Sequence, residues 1–475
     1  MKVSVLSKSQ VERIHAASLV ILQRVGIEVP HDEILSRFAD AGATVDRAKK
    51  RVKIPPGVVT RLLEGAGRKF TLRGRDETKT ALFGQGTRNY NSVAGEAYWV
   101  DEPGAPRRWC SLDDVATAAR VGDALACINI PGAMSDPHEL PVAWRCVAVA
   151  ATMLRNTTKP VYFWFHDRAS AKFLVDMAVA VRGDDRRAAE APPFMPFFEP
   201  ISPLRFPFNG IDLLFETSRI GMPVPVGPMA QMGLSAPATR AGTIAQENAE
   251  ILAGICITQL VKPGLPVCYG GICHAFDMAT TQLIFSGPEQ ALFGVAMTQM
   301  AQCYHLPVYI NVGLTDSKRI DAQAGLEAGV TLAMGAAAGA DIFGHFGISG
   351  VDQASSLDML VFQDEVIAYV EGMLRDLDTS DDALGFKAIE EVGPGGSFID
   401  TDHTAEHFRK ETWFPRLLDR RFYEAWQESG ASSTEERCRE RKREILAKHR
   451  PVPVPPDLDR ELTRIVETAR KTLGG

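Results

Sequence analysis

The amino-acid sequence predicts an α/β fold, a (β/α)₈ (TIM) barrel, from three features of residues 111–380. Apolar strand-like runs alternate with longer helical patterns, an order typical of parallel sheets. Seven such runs are clear, each preceded by a helical pattern, and we expect a less evident eighth strand. No GxGxxG follows the first strand and no P-loop sequence is present, which disfavours a doubly wound sheet that binds nucleotides.

The first 110 residues predict a mixed α+β extension before the barrel. Residues 7–23 open with Ser7, a good helix N-cap, and continue as an amphipathic helix. A second helix is predicted over 31–42, and residues 51–66 predict a short strand, a proline turn and a helix. Residues 69–100 predict further strands and turns, and they include the candidate substrate-binding residue Tyr90.

Each later repeat pairs a helix with a strand, and several of the strands begin with proline, which is tolerated at a first strand position. In order, the predicted pairs are 113–126 with 127–133, 142–156 with 160–167, 170–183 with 194–204, 210–221 with 223–233, 240–264 with 266–276, 289–305 with 307–318, and 322–340 with 341–350. A helix over 356–377 closes the series.

The segment 381–475 predicts a charged, helical C-terminal extension packed on the barrel. Residues 451–456, PVPVPP, predict a stiff connector between two helices. A packing arm or a contact between subunits is the simplest role for this extension, and we expect a homo-oligomer.

The overall composition fits an ordinary globular protein, with 45% hydrophobic and 23% charged residues. A net charge of −7 argues against nucleic acid or an anionic membrane as a partner. No apolar run approaches the roughly 20 residues of a membrane span, and the N-terminus lacks a secretion signal. The eight cysteines are scattered, as expected for reduced thiols, so we predict a cytoplasmic protein.

Aromatic residues gather at the predicted carboxyl ends of the strands, where barrel enzymes carry their active sites. The candidates for substrate binding on these strands are Phe163, Trp164, Phe165, Phe197, Glu199 and Phe346. Strand residues alternate between the barrel interior and the helix layer, so only about half can face a cavity, and packing under the helices is the simplest alternative for any one ring. An aromatic wall suits a cation without N–H groups, such as a quaternary ammonium, which Glu199 would face as a carboxylate.

Three polar residues near the last strands are candidates for positioning a substrate. His345 is either a structural histidine or a donor to a substrate carboxylate, and Asn311 follows the preceding strand. Asp316 either caps the next helix or belongs to a binding loop above the barrel. We assign none of the three a catalytic role with certainty.

Two other chemistries receive little support from the sequence. The spacing of Cys268, Cys273 and His274 matches no standard structural zinc site, although a metal-dependent lyase or hydrolase stays an alternative. No GxSxG motif is present for serine-based acyl transfer. We therefore expect no metal ligands.

Nine segments, in order along the chain, resemble the trimethylamine:corrinoid methyltransferase family. They are VERIHAASLVILQRVGIEV, DAGATVD, RVKIPPGVV, EPISPL, TDSKRIDAQAGLE, LVFQDEVI, IEEVGPGGSFIDTDHT, WFPRLLDRRFYEAW and ILAKHRPVP. The resemblance implies a (β/α)₈ barrel that transfers a methyl group from an amine nitrogen to Co(I) of a corrinoid. It also implies that the corrinoid (cobalamin) arrives on a small partner protein, which docks over the carboxyl face of the barrel.

One departure from the family bears on the substrate. Its archaeal trimethylamine enzymes carry pyrrolysine, and a rough alignment places that position near Val312–Thr315, where this chain has only ordinary residues. Members without pyrrolysine include betaine demethylases, so the resemblance favours glycine betaine or a related betaine. His345 would then bind the betaine carboxylate, with Asn311 as second choice. Trimethylamine as methyl donor and a non-catalytic amine-binding barrel are the alternatives.

Overall fold

The computed structural model describes residues 2–474, and its centre is a ring of parallel strands. Hydrogen-bonded neighbours run in the order Asn89–Ser92, Ile342–Phe346, Val308–Ile310, Val267–Gly271 and Val224–Val226. Short extended segments near residues 130, 162 and 195 complete the ring through the bridges Asn91–Ile130, Gly132–Tyr162 and Phe198–Val226 and the Val161 N–H to Pro193 bond. The predicted (β/α)₈ barrel is confirmed.

The strand that the sequence did not reveal clearly is Asn89–Ser92, which joins residues 130–134 to Ile342–Phe346. It lies within the segment that we assigned to the N-terminal extension. The boundary proposed near residue 110 therefore does not separate the barrel strands from the residues before them.

Helices form the outer layer of the barrel, and several begin at the residues that best accept a bond from the first free N–H groups. Ser111, Asp167, Thr239, Asp321 and Ser356 cap such helices through their side chains. The layer consists of Leu112–Ala124, Val142–Asn156, Arg168–Arg182, Phe208–Thr217, Arg240–Val261, Pro288–Cys303, Ala322–Ala338 and Leu357–Met373.

The N-terminal extension covers one side of the helix layer and closes the amino end of the barrel. Its helices are Lys8–Arg24, Asp32–Asp40 and Pro56–Glu64, and its short strands Ile27–Glu28, Thr44–Asp46 and Arg51–Lys53 form one sheet. The hairpin of Phe70–Arg73 and Thr80–Phe83 places Phe70 and Phe83 in the same interior cluster as Tyr162 and Tyr309. Apolar side chains therefore fill the barrel below these tyrosines.

Shorter strands form two small sheets at the carboxyl end of the barrel. One small sheet joins Gln231–Met232, His274–Asp277 and Gln282–Ile284, and another joins Ile348–Ser349, Ala354–Ser356, Tyr98–Val100 and Arg108–Trp109. A short helix, Asp185–Glu190, and a 3₁₀ turn, Ser218–Ile220, complete the barrel region.

The C-terminal residues form helices of two kinds. Asp381–Leu384, Phe386–Val392, Asp402–Glu411 and Tyr423–Glu428 are short, whereas Thr434–Lys448 and Pro456–Leu473 are long and pack against barrel helices. No helix within residues 2–474 is both long enough and apolar enough to cross a bilayer.

Candidate active site

Aromatic side chains from four strand segments meet at the carboxyl end of the barrel and form what we call the aromatic chamber, lined by Tyr162, Trp164, Phe197, Tyr309 and His345. The ring centroids of Trp164 and Phe197 are 6.3 Å apart, and those of Phe197 and Tyr309 are 5.5 Å apart. His345 lies 6.2 Å from Trp164 and 6.0 Å from Tyr309. Their rings meet mostly edge to face, and Trp164 and Phe197 also border a cavity.

A cavity of about 540 Å³ borders the chamber at Trp164 and Phe197 and is open to solvent. Trp164 and Phe197 form its inner wall, Met229 and Gln231 lie on another side, and Glu199 projects into it. No lysine or arginine occurs among the described residues that line this cavity. A cation entering it meets aromatic faces and a carboxyl group rather than a like charge.

The backbone around His345 has an unusual conformation. His345 has a φ of +73°, which an L-residue rarely adopts, and its side chain is buried with Nε2 lacking a hydrogen-bond partner among the described residues. Burial lowers the pKa of His345 to about 4, so the ring is neutral at neutral pH. A neutral, unpaired imidazole is available to exchange a hydrogen bond with a ligand.

Gly344 explains how Tyr309 and His345 fit side by side. A Cβ on Gly344 would overlap the hydroxyl of Tyr309, so only glycine leaves room for that ring. The Tyr162 hydroxyl is also buried without a hydrogen-bond partner in the described structure. Unpaired buried polar atoms are costly, and several in one chamber indicate a place for a polar ligand.

Three carboxyl groups lie near the outer part of the chamber. Glu199 is exposed to the cavity, where the surrounding protein removes part of its hydration, and this loss of hydration and then the charge of Asp352 raise its pKa to about 7. Burial raises the pKa of Asp352 to about 6, while burial and the nearby charges of Asp352 and Asp136 hold the pKa of Glu96 well above its usual value. These groups ionise less readily than free carboxyls, and a bound cation would favour their charged forms.

The two other residues predicted to position a substrate differ in their surroundings. Asn311 is buried next to the end of its strand, and its Oδ1 has no partner in the described structure. Asp316 instead accepts the backbone N–H groups of Phe285 and Ser286. Its carboxylate therefore holds the loop at residues 285–286 in place, and the role of Asp316 in positioning a substrate stays a prediction.

Three aromatic residues that we expected in the site lie outside the chamber. Tyr90 donates its hydroxyl to Glu371 and stacks on Phe343, Phe163 packs among helices, and Phe346 lies in the outer core. Side chains alternate between the two faces of a strand, and each of these residues is adjacent in sequence to one that faces inward. Its own side chain therefore points to the opposite face. These assignments were errors of strand register.

Phe165 has an intermediate position. Its ring stacks on Phe163 at 5.2 Å, and part of it lines the surface cavity. It contacts the entrance rather than the chamber itself.

Sequence reasoning missed several residues of the chamber. Tyr162 and Tyr309 each precede a candidate by two positions, Trp164 and Asn311, so strict two-residue alternation would have found both. Glu96 and Asp352 come from loops outside the regular repeats, and no sequence pattern indicated them.

The cysteine and histidine considered for a metal are buried in the protein interior. Burial holds the pKa of the Cys273 thiol well above its usual value and lowers the pKa of His274 to about 3. Within residues 2–474, no three His, Cys, Asp or Glu side chains are grouped so as to hold a metal ion.

A known structure shares this architecture. The crystal structure of the monomethylamine methyltransferase MtmB of Methanosarcina barkeri aligns with all of this chain and 95% of its own, at a TM-score of 0.50 and 9% identity. At that identity the likeness shows the fold.

Sequence comparisons identify the family. Residues 1–474 match the trimethylamine methyltransferase (MTTB) family. A glycine betaine methyltransferase of Desulfitobacterium hafniense strain Y51 is 29% identical over 100% of this chain and 98% of its own length. Trimethylamine methyltransferases MttB of D. hafniense strain DSM 10664 / DCB-2 and of Methanosarcina thermophila are 29% and 28% identical, over 98% and 97% of this chain and 94% and 96% of their own. This chain therefore belongs to the trimethylamine methyltransferase family and is a corrinoid-dependent amine methyltransferase.

Proposed function

We propose that this enzyme removes a methyl group from a quaternary ammonium compound, with glycine betaine as the preferred methyl donor. The aromatic chamber carries the proposal, because its members Trp164 and Phe197 line a cavity of about 540 Å³ that has no lysine or arginine among its described lining residues. The similarity over the full chain to a glycine betaine methyltransferase supports the choice of donor.

The chamber suits a trimethylammonium group for a physical reason. Such a cation has no N–H to donate, so it is held by the negative faces of aromatic rings, at about 0.5–2 kcal/mol for each good contact. During methyl transfer the C–N bond breaks and its electron pair stays on nitrogen, so a neutral tertiary amine departs. No proton has to be supplied, and the side chains of this chain bind and orient the donor.

The carboxylate of glycine betaine needs neutral donors in this chamber. The imidazole of His345 is placed to donate, and the Tyr162 hydroxyl also lacks a partner in the described structure, whereas the unpaired atom of Asn311 is its Oδ1, which accepts and cannot donate to a carboxylate. Glu199 would face the ammonium end from the cavity. A hydrogen bond to the carboxylate, together with aromatic contacts to the ammonium, would fix the orientation of the donor.

Reduced corrinoid cobalt supplies the nucleophile that accepts the methyl group, and we propose that a small partner protein carries it. The shape of the barrel leaves one end for such a partner. Phe70 and Phe83 fill the amino end, whereas the chamber lies toward the carboxyl end. The partner would therefore approach over the ends of the barrel strands. We propose that the enzyme acts in the cytoplasm.

Calorimetric titration of the full-length protein tests the donor. Glycine betaine should bind at least about tenfold more tightly than 3,3-dimethylbutanoate, which has the same shape but carbon in place of the charged nitrogen. Trp164→Leu should weaken betaine binding about tenfold. Phe163→Leu, on the same strand but facing the helices, should leave the affinity unchanged.

A second assay follows methyl transfer to Co(I)-cobalamin by absorbance. Methylation with glycine betaine and none with trimethylamine would support the proposal, and the reverse preference would overturn the choice of donor. Equal binding of betaine and its carbon analogue would contradict cation recognition. Tight betaine binding without any methyl transfer would favour the non-catalytic alternative.

A further inference from the structure

The segment EPISPL, residues 199–204, forms one wall of the cavity that borders the aromatic chamber. Glu199 and Ser202 line this wall, and Gln231 and Ser235 line a second wall that comes from a later part of the chain. Loops at the carboxyl end of a barrel are separate pieces of chain carried by a common scaffold. A group that contacts both walls therefore sets how they lie relative to each other.

One barrel helix contacts both walls through two side chains, Gln246 and Glu250, which we call the clamp. The Ser202 hydroxyl donates to Glu250 Oε2 at 2.6 Å, and the Leu204 N–H donates to Glu250 Oε1 at 2.8 Å. Gln246 Nε2 donates to Glu250 Oε1 at 3.0 Å and to the carbonyl of Ser235 at 2.8 Å. A single amide group thus links the carboxyl that holds the first wall to the backbone of the second.

The bonds of the clamp lie in the protein interior. Gln246 and Glu250 are both buried on their helix. Burial raises the pKa of Glu250, and the hydrogen bonds from Ser202, Leu204 and Gln246 oppose that rise. Removing one partner of a buried bond leaves the other unsatisfied, which is more damaging than losing a bond at the surface.

The backbone of the first wall needs such support. Leu204 has a φ of +57°, a left-handed conformation that an L-residue rarely adopts. Residues of this kind persist where their surroundings hold them, and they concentrate near functional sites. The Leu204 N–H is held by Glu250, and its carbonyl accepts the N–H of Glu28 at 2.9 Å.

Glu199 lies in a short span that is held on both sides. Before it, the Phe198 N–H donates to the carbonyl of Pro225 at 2.9 Å, and the Phe198 carbonyl accepts the N–H of Gly227 at 3.1 Å. After it, the clamp holds Ser202. The place of the Glu199 carboxyl in the cavity therefore depends on the clamp.

We propose that Gln246 and Glu250 are positioning residues for the methyl donor, which act by fixing the Glu199 carboxylate where it faces the ammonium group. The inference rests on the proposed function, because Glu199 serves in this way only if the donor is a cation. Neither side chain is among the described residues that line the cavity, so both act through its walls.

A double-mutant cycle measured by calorimetric titration with tetramethylammonium at pH 8 tests this role. In the wild-type background, Glu199→Gln should weaken binding about tenfold. In the Gln246→Met or Glu250→Leu background the same change should weaken binding less than about threefold, because the carboxylate is no longer held in place. A role confined to stability would leave the tenfold effect of Glu199→Gln intact.

Gln259→Met is the matched control for the clamp variants. Gln259 is buried on the same helix, about 20 Å along its axis from Gln246. It donates to the carbonyl of Leu265 at 3.0 Å and accepts the N–H of Gly264 at 2.9 Å. Gln259→Met should lower the free energy of unfolding and still show the tenfold effect of Glu199→Gln.

A conservative variant separates the geometry of the clamp from its charge. Glu250→Gln keeps an acceptor for the N–H of Leu204, and its amide nitrogen can donate to the Ser202 oxygen. It should therefore preserve most of the effect of Glu199→Gln, which Glu250→Leu removes. Loss of that effect in Glu250→Gln as well would overturn a positioning role that acts through hydrogen bonds.

Hydrogen exchange followed by mass spectrometry reports on the walls without a ligand. Glu250→Leu should speed amide exchange in residues 201–206 and Gln246→Met in residues 233–236, whereas Gln259→Met should affect residues 262–267. Unchanged exchange in both walls, or a tenfold effect of Glu199→Gln that persists in both clamp variants, would overturn this inference alone. Failure of the wild type to bind tetramethylammonium would overturn the proposed function and the inference together.

Discussion

Glu199 determines how the chamber responds to pH. Its pKa near 7 comes from lost hydration and then from the charge of Asp352, so the carboxyl is mostly protonated at pH 6 and mostly ionised at pH 8. Because only the ionised form attracts a cation, the affinity for tetramethylammonium should rise as pH increases through this range, by up to about tenfold. Calorimetric titrations at pH 6 and pH 8 measure the change.

Replacing the carboxyl tests this assignment. Glu199→Gln should bind tetramethylammonium with nearly the same affinity at both pH values. Its affinity should fall furthest below that of the wild type at pH 8. Glu467→Gln, on the exposed side of helix Pro456–Leu473, should keep the wild-type dependence. A wild-type slope that persists in Glu199→Gln would show that another carboxyl, Asp352 or Glu96, is responsible.

Site residues could be predicted only in part, because strand register decides which face each side chain occupies. Trp164 and His345 reached the chamber, whereas Phe163 and Phe346 are nearby in sequence and face outward. Alternation within one strand is readable once a single inward residue is known. The carboxyls of Glu96 and Asp352 depend on loop paths that no local pattern encodes.

At the scale of an element, strand Ile342–Phe346 holds the chamber together through a glycine. Gly344→Ala should place a methyl group against the Tyr309 hydroxyl and shift that ring, weakening binding of a quaternary ammonium at least about tenfold. Titration with tetramethylammonium measures the loss. Tyr309→Phe combined with Gly344→Ala should recover part of the affinity, because the closest overlapping atom is gone.

A helical glycine is the matched control for this change. Gly329 lies within helix Ala322–Ala338 with no atom near an added Cβ, so Gly329→Ala should preserve binding and stabilise the protein by about 0.5–1 kcal/mol. Unchanged affinity in Gly344→Ala would mean that the Tyr309 ring does not contact the ligand.

Helices were easier to predict than strands for a reason visible in Asn89–Ser92. This barrel strand contains two asparagines and a serine, all buried, and it has no apolar run to mark it. Asn89 satisfies its side chain by donating to the carbonyls of Leu82 and Asp341. Tertiary hydrogen bonds make the segment a strand, so its own sequence could not show it.

At the scale of the whole molecule, the C-terminal helix Thr434–Lys448 ties distant parts of the chain together. Its Lys442 ammonium donates to Asp358 at 2.8 Å and to the carbonyl of Asp101 at 2.9 Å, and it is almost fully buried. The sequence predicted a charged helical extension there but not these contacts, because partners separated by 84 and 341 residues leave no local signal.

Lys442→Met should show how much the free energy of unfolding depends on the contacts of this lysine. It leaves the fully buried Asp358 carboxylate without its cation, and breaking a buried pair in this way costs about 3–5 kcal/mol. Burial already raises the pKa of Asp358 against the influence of Lys442. Losing the lysine raises that pKa further, so the folded state binds more protons than the unfolded state, and the loss of stability should be greater at pH 8 than at pH 5.

Urea denaturation at the two pH values measures this loss, and a second substitution separates charge from packing. Lys442→Met combined with Asp358→Asn should regain at least half of the lost free energy, because no unpaired charge is then buried. Lys471→Met, on an exposed face of the last helix, should change stability by less than about 0.5 kcal/mol. Because Lys442 joins residues before, within and after the barrel, the wild type should unfold in a single transition. Two separate transitions, or equal losses in the single and double variants, would contradict the view that this ion pair couples the three parts.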